Sequence, residues 1–206
     1  LCFSFTPGAD FTGIVSATIT ICDAHNLCAP ATLELTVTPV NDPPVVTGNN
    51  AVITYPGSAV VVDNTLQVND VDNTQITGGT VSIDGNFVSA EDVLSFTDQS
   101  GITGTYSATT GILTLAGTAT LAQYSQALQG ITYTNAFQSS LLTRRITFVV
   151  TDGTAASLPF HKFVEFSGNV NRAPFLVDAF GNPVSVLQYN TNEDTSLATC
   201  LSAADP

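Results

Sequence analysis

Three prolines within eleven residues limit this chain more than any other feature. The stretch Thr36–Val46 reads TVTPVNDPPVV. Before it, Leu33, Leu35 and Val37 alternate with polar residues and fall on one face of an extended strand. Pro39, Pro43 and Pro44 then exclude helix and any central strand position, since each lacks a backbone N–H and fixes φ. One folded unit ends at this point and another begins, joined by a semi-rigid spacer rather than a flexible tether. A related stretch, NVNRAPFL at Asn169–Leu176, recurs about one domain length later, with Arg172 where the first linker has Asp42.

These two linkers divide the chain into residues 1–42, 43–170 and 171–206. Only the middle piece is long enough to bury its own core. The outer pieces read as the last strands of a preceding module and the first strands of a following one, so the expectation is a window onto a longer repetitive protein. The formal net charge of -13, with four Lys and Arg in 206 residues, argues against electrostatic binding of nucleic acid. No apolar run reaches the length of a bilayer span, so no membrane insertion is expected in this window.

Period-two alternation rich in Val, Ile and Thr marks most of the chain as strand. VSATITIC and ATLELTV, joined across DAHNLCAP, form an expected hairpin with Cys22 and Cys28 on either side of its bend. Two readings stand for these cysteines: a cross-strand disulfide, which would imply an oxidising, extracytoplasmic setting, or two buried free thiols. In the middle piece AVITY, AVVVDNTLQV, VLSFTD, GTYSATTGILTLAG, GITYTN and RRITFVVTDG supply strands. NDVDNTQITGG reads as a turn, and Asp84-Gly85-Asn86 as a bend between two strands. Thr120–Gln129 is the exception. Leu121, Tyr124 and Leu128 have helical spacing and Gly130 follows as a stop, predicting a short helix that crosses between two sheets. The expected class is all-β: tandem immunoglobulin-like β-sandwich modules, one complete and two partial.

In such a sandwich the loops carrying Asp70, Asp72 and Asp152 point back toward Asn41 and Asp42 at the linker. Asp10, in the corner TPGADFTG, reaches the same joint from the preceding module. A group of oxygen ligands without a neutralising cation suits Ca²⁺, which accepts six to eight oxygens in loose geometry. The plainer alternative is that each aspartate only shapes a turn. At the second linker Arg172 opposes a cation, and weak or no calcium binding is expected there.

These residues together resemble cadherin-like and related immunoglobulin-like tandem repeats of large bacterial cell-surface adhesins. The resemblance lies in TPVNDPP, in DVD at 70–72, in VTDG around Asp152, in PGADFTG, in NEDT followed by AADP, and in ATTGILTLAGTATLAQYSQALQGITYTN. It implies that Asn41, Asp42, Asp70, Asp72 and Asp152 are calcium ligands, and that the protein acts in adhesion or extension from a cell surface, outside the cell. It also suggests a large secreted adhesin of a gliding-type bacterium. Tyr55-Pro56-Gly57 departs from the pattern, standing where such repeats often carry a glutamate.

No enzyme is expected. His25 and His161 fall in different modules, no nucleophile or zinc motif occurs, and the adjacent acids Glu91-Asp92 and Glu193-Asp194 should face opposite ways on a strand. The expected partners are neighbouring modules of the same chain and an unidentified cell-surface or extracellular ligand; a module that itself binds a carbohydrate or protein ligand directly is one alternative. A homo-oligomeric fibre in which partial modules complete one another is the second.

Overall fold

The computed structural model describes residues 4–137 and 142–166, and the backbone of three short segments at 175–177, 183–184 and 203–204. Strands β1 (Gly13–Cys22) and β2 (Cys28–Val37) form the expected hairpin, ten residues on each side and antiparallel. Ala31, Leu33, Leu35 and Val37 are its half-buried face, every second residue, as the alternation requires. Cys22 pairs in register with Cys28, and the two are joined by a disulfide. The bend is shaped by Asp23, whose Oδ1 accepts the backbone N–H groups of His25 and Leu27 at 2.8 and 2.9 Å.

Past the linker come β3 (Val45–Thr47), β4 (Ile53–Tyr55), β5 (Val60–Val61), β6 (Gln67–Asn69), β7 (Gln75–Gly85), β8 (Asp92–Ser95), β9 (Thr103–Ser107) and β10 (Ile112–Thr120). After them follow helix α1 (Leu121–Gln129), β11 (Thr132–Asn135), β12 (Arg144–Thr151) and β13 (Phe160–Phe166). Three further short strands, β14 (Phe175–Val177), β15 (Pro183–Val184) and β16 (Ala203–Ala204), pair with one another. The second-linker residues Asn169, Asn171, Arg172 and Pro174, the side chain of Phe175, and Asp178, Glu193, Asp194, Cys200 and Asp205 lie outside the described residues.

The fold is an all-β sandwich. A six-stranded sheet, in the order β4-β13-β12-β7-β10-β9, faces a three-stranded sheet, β5-β11-β8, and β3 pairs with β6. All pairings are antiparallel except β4 with β13. The first sheet contributes Val81, Ile83, Leu113, Leu115, Ile146, Phe148, Val150 and Val164 to one continuous core. The second contributes Leu94 and Tyr133, and the β3/β6 pair adds Val46 and Val68. Each such side chain, fully buried, stabilises the fold by about 1.5–3 kcal/mol relative to exposure.

Helix α1 carries the chain from the larger sheet to the smaller one. Thr120 caps it: its Oγ1 accepts the Gln123 N–H, while Gln123 Oε1 accepts the Thr120 N–H at 2.9 Å, a reciprocal capping box. Tyr124, Ala127 and Leu128 are buried. Ser125 Oγ accepts the Val68 N–H at 2.9 Å, and Gln129 donates to the Leu66 carbonyl at 2.7 Å, so the helix is also stitched to β6 and its approach. Tyr124 donates its hydroxyl to the Gly117 carbonyl at 2.5 Å, where β10 bulges and Gly117 takes a φ of +127°.

Two local expectations are corrected. The turn read over NDVDNTQITGG ends by Thr74; Gln75–Gly79 belong to β7, because long-range pairing with β10 and β12 outweighs the poor strand propensity of Gly78 and Gly79. At Gly79 an added Cβ would meet the Val149 carbonyl oxygen at 2.7 Å, so these glycines serve close strand approach rather than turning. Asp84-Gly85-Asn86 does not close a hairpin either. Asn86, at a φ of +56°, redirects the chain from β7 to β8 in the other sheet.

Candidate functional site at the first linker

The linker is held by the aspartates the sequence singles out. Asn41 Nδ2 donates to Asp152 Oδ2 at 2.8 Å. The Asp42 backbone N–H donates to Asp72 Oδ2 at 3.2 Å. Asp70 organises its own loop, its Oδ1 accepting the N–H groups of Asp72 and Asn73 at 3.1 and 2.9 Å. Asp152 does the same after β12, accepting from Thr154 and Ala155 at 2.6 and 2.7 Å on Oδ1. The Ala155 N–H, together with the Asn41 amide and the Thr154 N–H, holds the Asp152 carboxyl below its ordinary value.

Asn73 completes the joint and was not among the expected ligands. Its Nδ2 donates to Asn41 Oδ1 at 2.9 Å, to Asp72 Oδ1 at 3.2 Å and to Asp152 Oδ2 at 3.3 Å. One amide thus spans three of the anticipated residues. Its position directly after Asp72 is the sequence signal, since an amide there cross-links carboxylates without adding charge.

Asp10 lies across the joint from these groups. It lines a cleft of about 370 Å³ with Asp42, Pro43, Val45, Asn69, Asp70 and Val71. A second cleft, of about 580 Å³, brings Asp10, Asp42 and Asp72 against Phe11 and Val40. The structure therefore places all six expected residues, Asp10, Asn41, Asp42, Asp70, Asp72 and Asp152, around one joint.

The donor set fits Ca²⁺ in kind. The aspartates named supply carboxylate oxygens, and Asp70 Oδ2 is buried with no hydrogen-bond partner, an arrangement that costs free energy unless something positive meets it. No Lys or Arg among the described residues serves that purpose: Arg144, Arg145 and Lys162 pair with Asp92, Asp84 and Asp63 respectively. The carboxylates line the clefts without filling a common sphere. Among the described residues no three His, Cys, Asp or Glu side chains are drawn together closely enough to hold a metal ion.

At the other end of β12 from Asp152 lies a buried polar cluster that corrects the reading of Glu91 and Asp92. The pair precedes and opens β8, where the chain is still turning, and both side chains converge on Asn135 Nδ2, at 3.3 and 2.7 Å. Asp92 also accepts from Arg144 Nε at 2.8 Å, from the Tyr133 hydroxyl at 2.5 Å and from the Val88 N–H at 2.7 Å. Burial, then the bond to Asp92, raises the Tyr133 pKa above the ordinary value.

No protein-family model matches the chain. A curated relative is halomucin of Haloquadratum walsbyi, 34% identical over 105 residues. The match takes in 48% of this chain and 1% of halomucin. The chain thus resembles a small part of a protein about a hundred times longer than the matched stretch. Among the described residues no helix is long and apolar enough to cross a membrane.

Proposed function

We infer that this chain is a non-enzymatic spacer segment of a large extracellular or cell-surface protein, in which β-sandwich modules are held end to end and the first linker is stiffened by Ca²⁺. The observation that carries this reading is the convergence of Asp72 and Asp152 on the Asn41-Asp42 linker. Loops from two distant parts of one module hold the connector to that module. The unpaired Oδ2 of Asp70 and the absence of a described basic residue at the joint support a cation there. Asp10, Asp42, Asp70 and Asp72, which line the clefts without filling a common sphere, would have to draw together to hold the ion, which would supply charge neutralisation and cross-bridging between modules.

The disulfide in an exposed hairpin supports an oxidising compartment. Similarity to a small part of halomucin, a protein far longer than the matched stretch, supports a segment of a large surface-associated protein here. Adhesion follows as the role of such a stalk, with the ligand carried elsewhere. The test is small-angle scattering with calcium and with chelator. A particle that is extended and uniform in calcium and broadens in length distribution with chelator supports the reading; identical profiles oppose it.

A further inference from the structure

Lys162 is one of four Lys and Arg in the chain, and it is only 2% exposed. It sits on β13, the last strand of the sandwich, and reaches across to the segment after β3. Its Nζ donates to Asn49 Oδ1 at 2.6 Å and to the carbonyls of Asn49 and Ala51 at 2.9 and 2.8 Å. Asp63, 4% exposed, places Oδ2 3.2 Å from the same Nζ. The other oxygen of Asp63 accepts Asn49 Nδ2 at 3.1 Å, the Thr65 hydroxyl at 2.6 Å and the Thr65 N–H at 2.8 Å. One carboxylate therefore touches both an amine and the nitrogen of the carboxamide that the amine contacts.

Glycine is needed for that approach. A Cβ at Gly48 would lie 2.8 Å from Asp63 Oδ2 and 2.9 Å from the Leu66 side chain, so only glycine lets the chain bring Asn49 this near. As an ion pair the arrangement is a poor stabiliser, since desolvating both charges offsets most of their attraction. As a reaction site it has what amide exchange requires: a nucleophile, an electrophile and an acid–base group already in contact.

We propose that Lys162 and Asn49 form an intramolecular isopeptide bond, with Asp63 as the proton-transfer residue. The Lys162 ammonium gives a proton to Asp63, and the neutral amine attacks Cγ of Asn49. A C–N bond forms to Lys162 Nζ. Asp63 delivers its proton to Asn49 Nδ2 and takes up the proton that the attacking nitrogen sheds. The bond from Cγ to Nδ2 breaks, and ammonia leaves, carrying the remaining proton as ammonium. No oxidant or reductant is required. Burial pushes the Asp63 carboxyl up, but hydrogen bonds from Thr65 and Lys162 outweigh it and hold the group below its ordinary value, so Asp63 starts as the base. Asn49 and Lys162 both line a cleft of about 260 Å³ with Val60 and Val62, which gives the ammonia a way out. The bond would join residues 113 apart in sequence, so tension entering at the linker would pass to β13 without loading the strands between. That mechanical consequence rests on the stalk reading; the bond itself does not.

The test is the intact mass of the purified, reduced full chain, followed by proteolysis. A chain lighter by one ammonia, with a branched peptide joining Asn49 to Lys162, is the expected result. Lys162→Arg and Asp63→Asn should both show the full sequence mass. A wild-type chain at full mass overturns the proposal. So does an ammonia loss confined to the Asn49 peptide, which is the mark of a succinimide. If either variant fails to fold, the wild-type mass and the branched peptide decide alone.

Discussion

Asn41 and Asp152 are 111 residues apart in sequence and 2.8 Å apart in the fold. That single hydrogen bond, from the connector to the loop after β12, couples the geometry of the linker to the integrity of the sandwich. Replacing Asn41 with Ala removes it and also the contact from Asn73. A hydrogen bond to a charged acceptor contributes about 1.5–3 kcal/mol. Thermal unfolding of Asn41→Ala should therefore show a midpoint several degrees lower, and proteolysis at Val40 should accelerate. An unchanged cleavage rate would mean that the linker is not held by this bond.

Calcium should raise stability through the same joint. A ligand that binds only the native state stabilises by RT ln(1 + [L]/Kd), about 2.7 kcal/mol at a hundredfold excess over Kd. Millimolar Ca²⁺ is expected to raise the unfolding midpoint, chelator to reverse it, and Asp70→Asn to abolish the shift. A midpoint indifferent to calcium in the wild-type chain would leave the linker stiffened by proline and hydrogen bonds alone.

The Arg144–Asp92 pair, with both side chains fully buried, should be costly to break from one side. Asp92→Ala leaves the buried Arg144 guanidinium without its carboxylate and takes one partner each from the Tyr133 hydroxyl and the Asn135 amide, and a loss of about 3–5 kcal/mol is expected in urea unfolding. Phe148→Ala, a cavity in the apolar core, should cost a similar ~3–5 kcal/mol. If Asp92→Ala costs under a third of Phe148→Ala, water is reaching the pair.

Acid should weaken the module through a known group of carboxylates. Asp63, Asp84 and Asp152 all have folded-state pKa values below the ordinary 3.8. A depressed carboxylate contributes stability that is complete above the unfolded value and is lost as pH falls through the folded one. Stability should thus be flat in this respect near neutrality and fall below about pH 4. The slope should shrink in Asp152→Asn; an equal slope would assign the acid loss to other groups.

Reduction of Cys22–Cys28 should act locally. The disulfide closes a short bend at the tip of a hairpin that contributes nothing to the main core. Its entropic effect, about 2 kcal/mol for a loop this small, should therefore fall on β1 and β2. Hydrogen exchange in Ile19–Cys22 is expected to quicken in the double Cys→Ser variant, while the main unfolding midpoint stays in place. A lowered main midpoint would show that the hairpin and the sandwich unfold together.

Local pattern by itself determined the all-β class, the hairpin of β1 and β2, the helix between Thr120 and Gly130, and the break at Pro39–Pro44. Each rests on interactions between near neighbours: alternation, a capping box, a missing N–H. The aspartates of the joint were legible for a related reason, because loops that end alternate strands must return to the same end of a sandwich. Tertiary structure alone decided the rest. Gly78 and Gly79 are strand residues only because β10 and β12 flank them. Glu91 and Asp92 share Asn135 only because the chain turns ahead of β8. Lys162 follows the exposed His161 and lies on the buried face of β13 with Val164 and Phe166. Its meeting with Asn49 and Asp63 depends on β13 returning beside the first segments of the module, a long-range pairing that no local periodicity encodes.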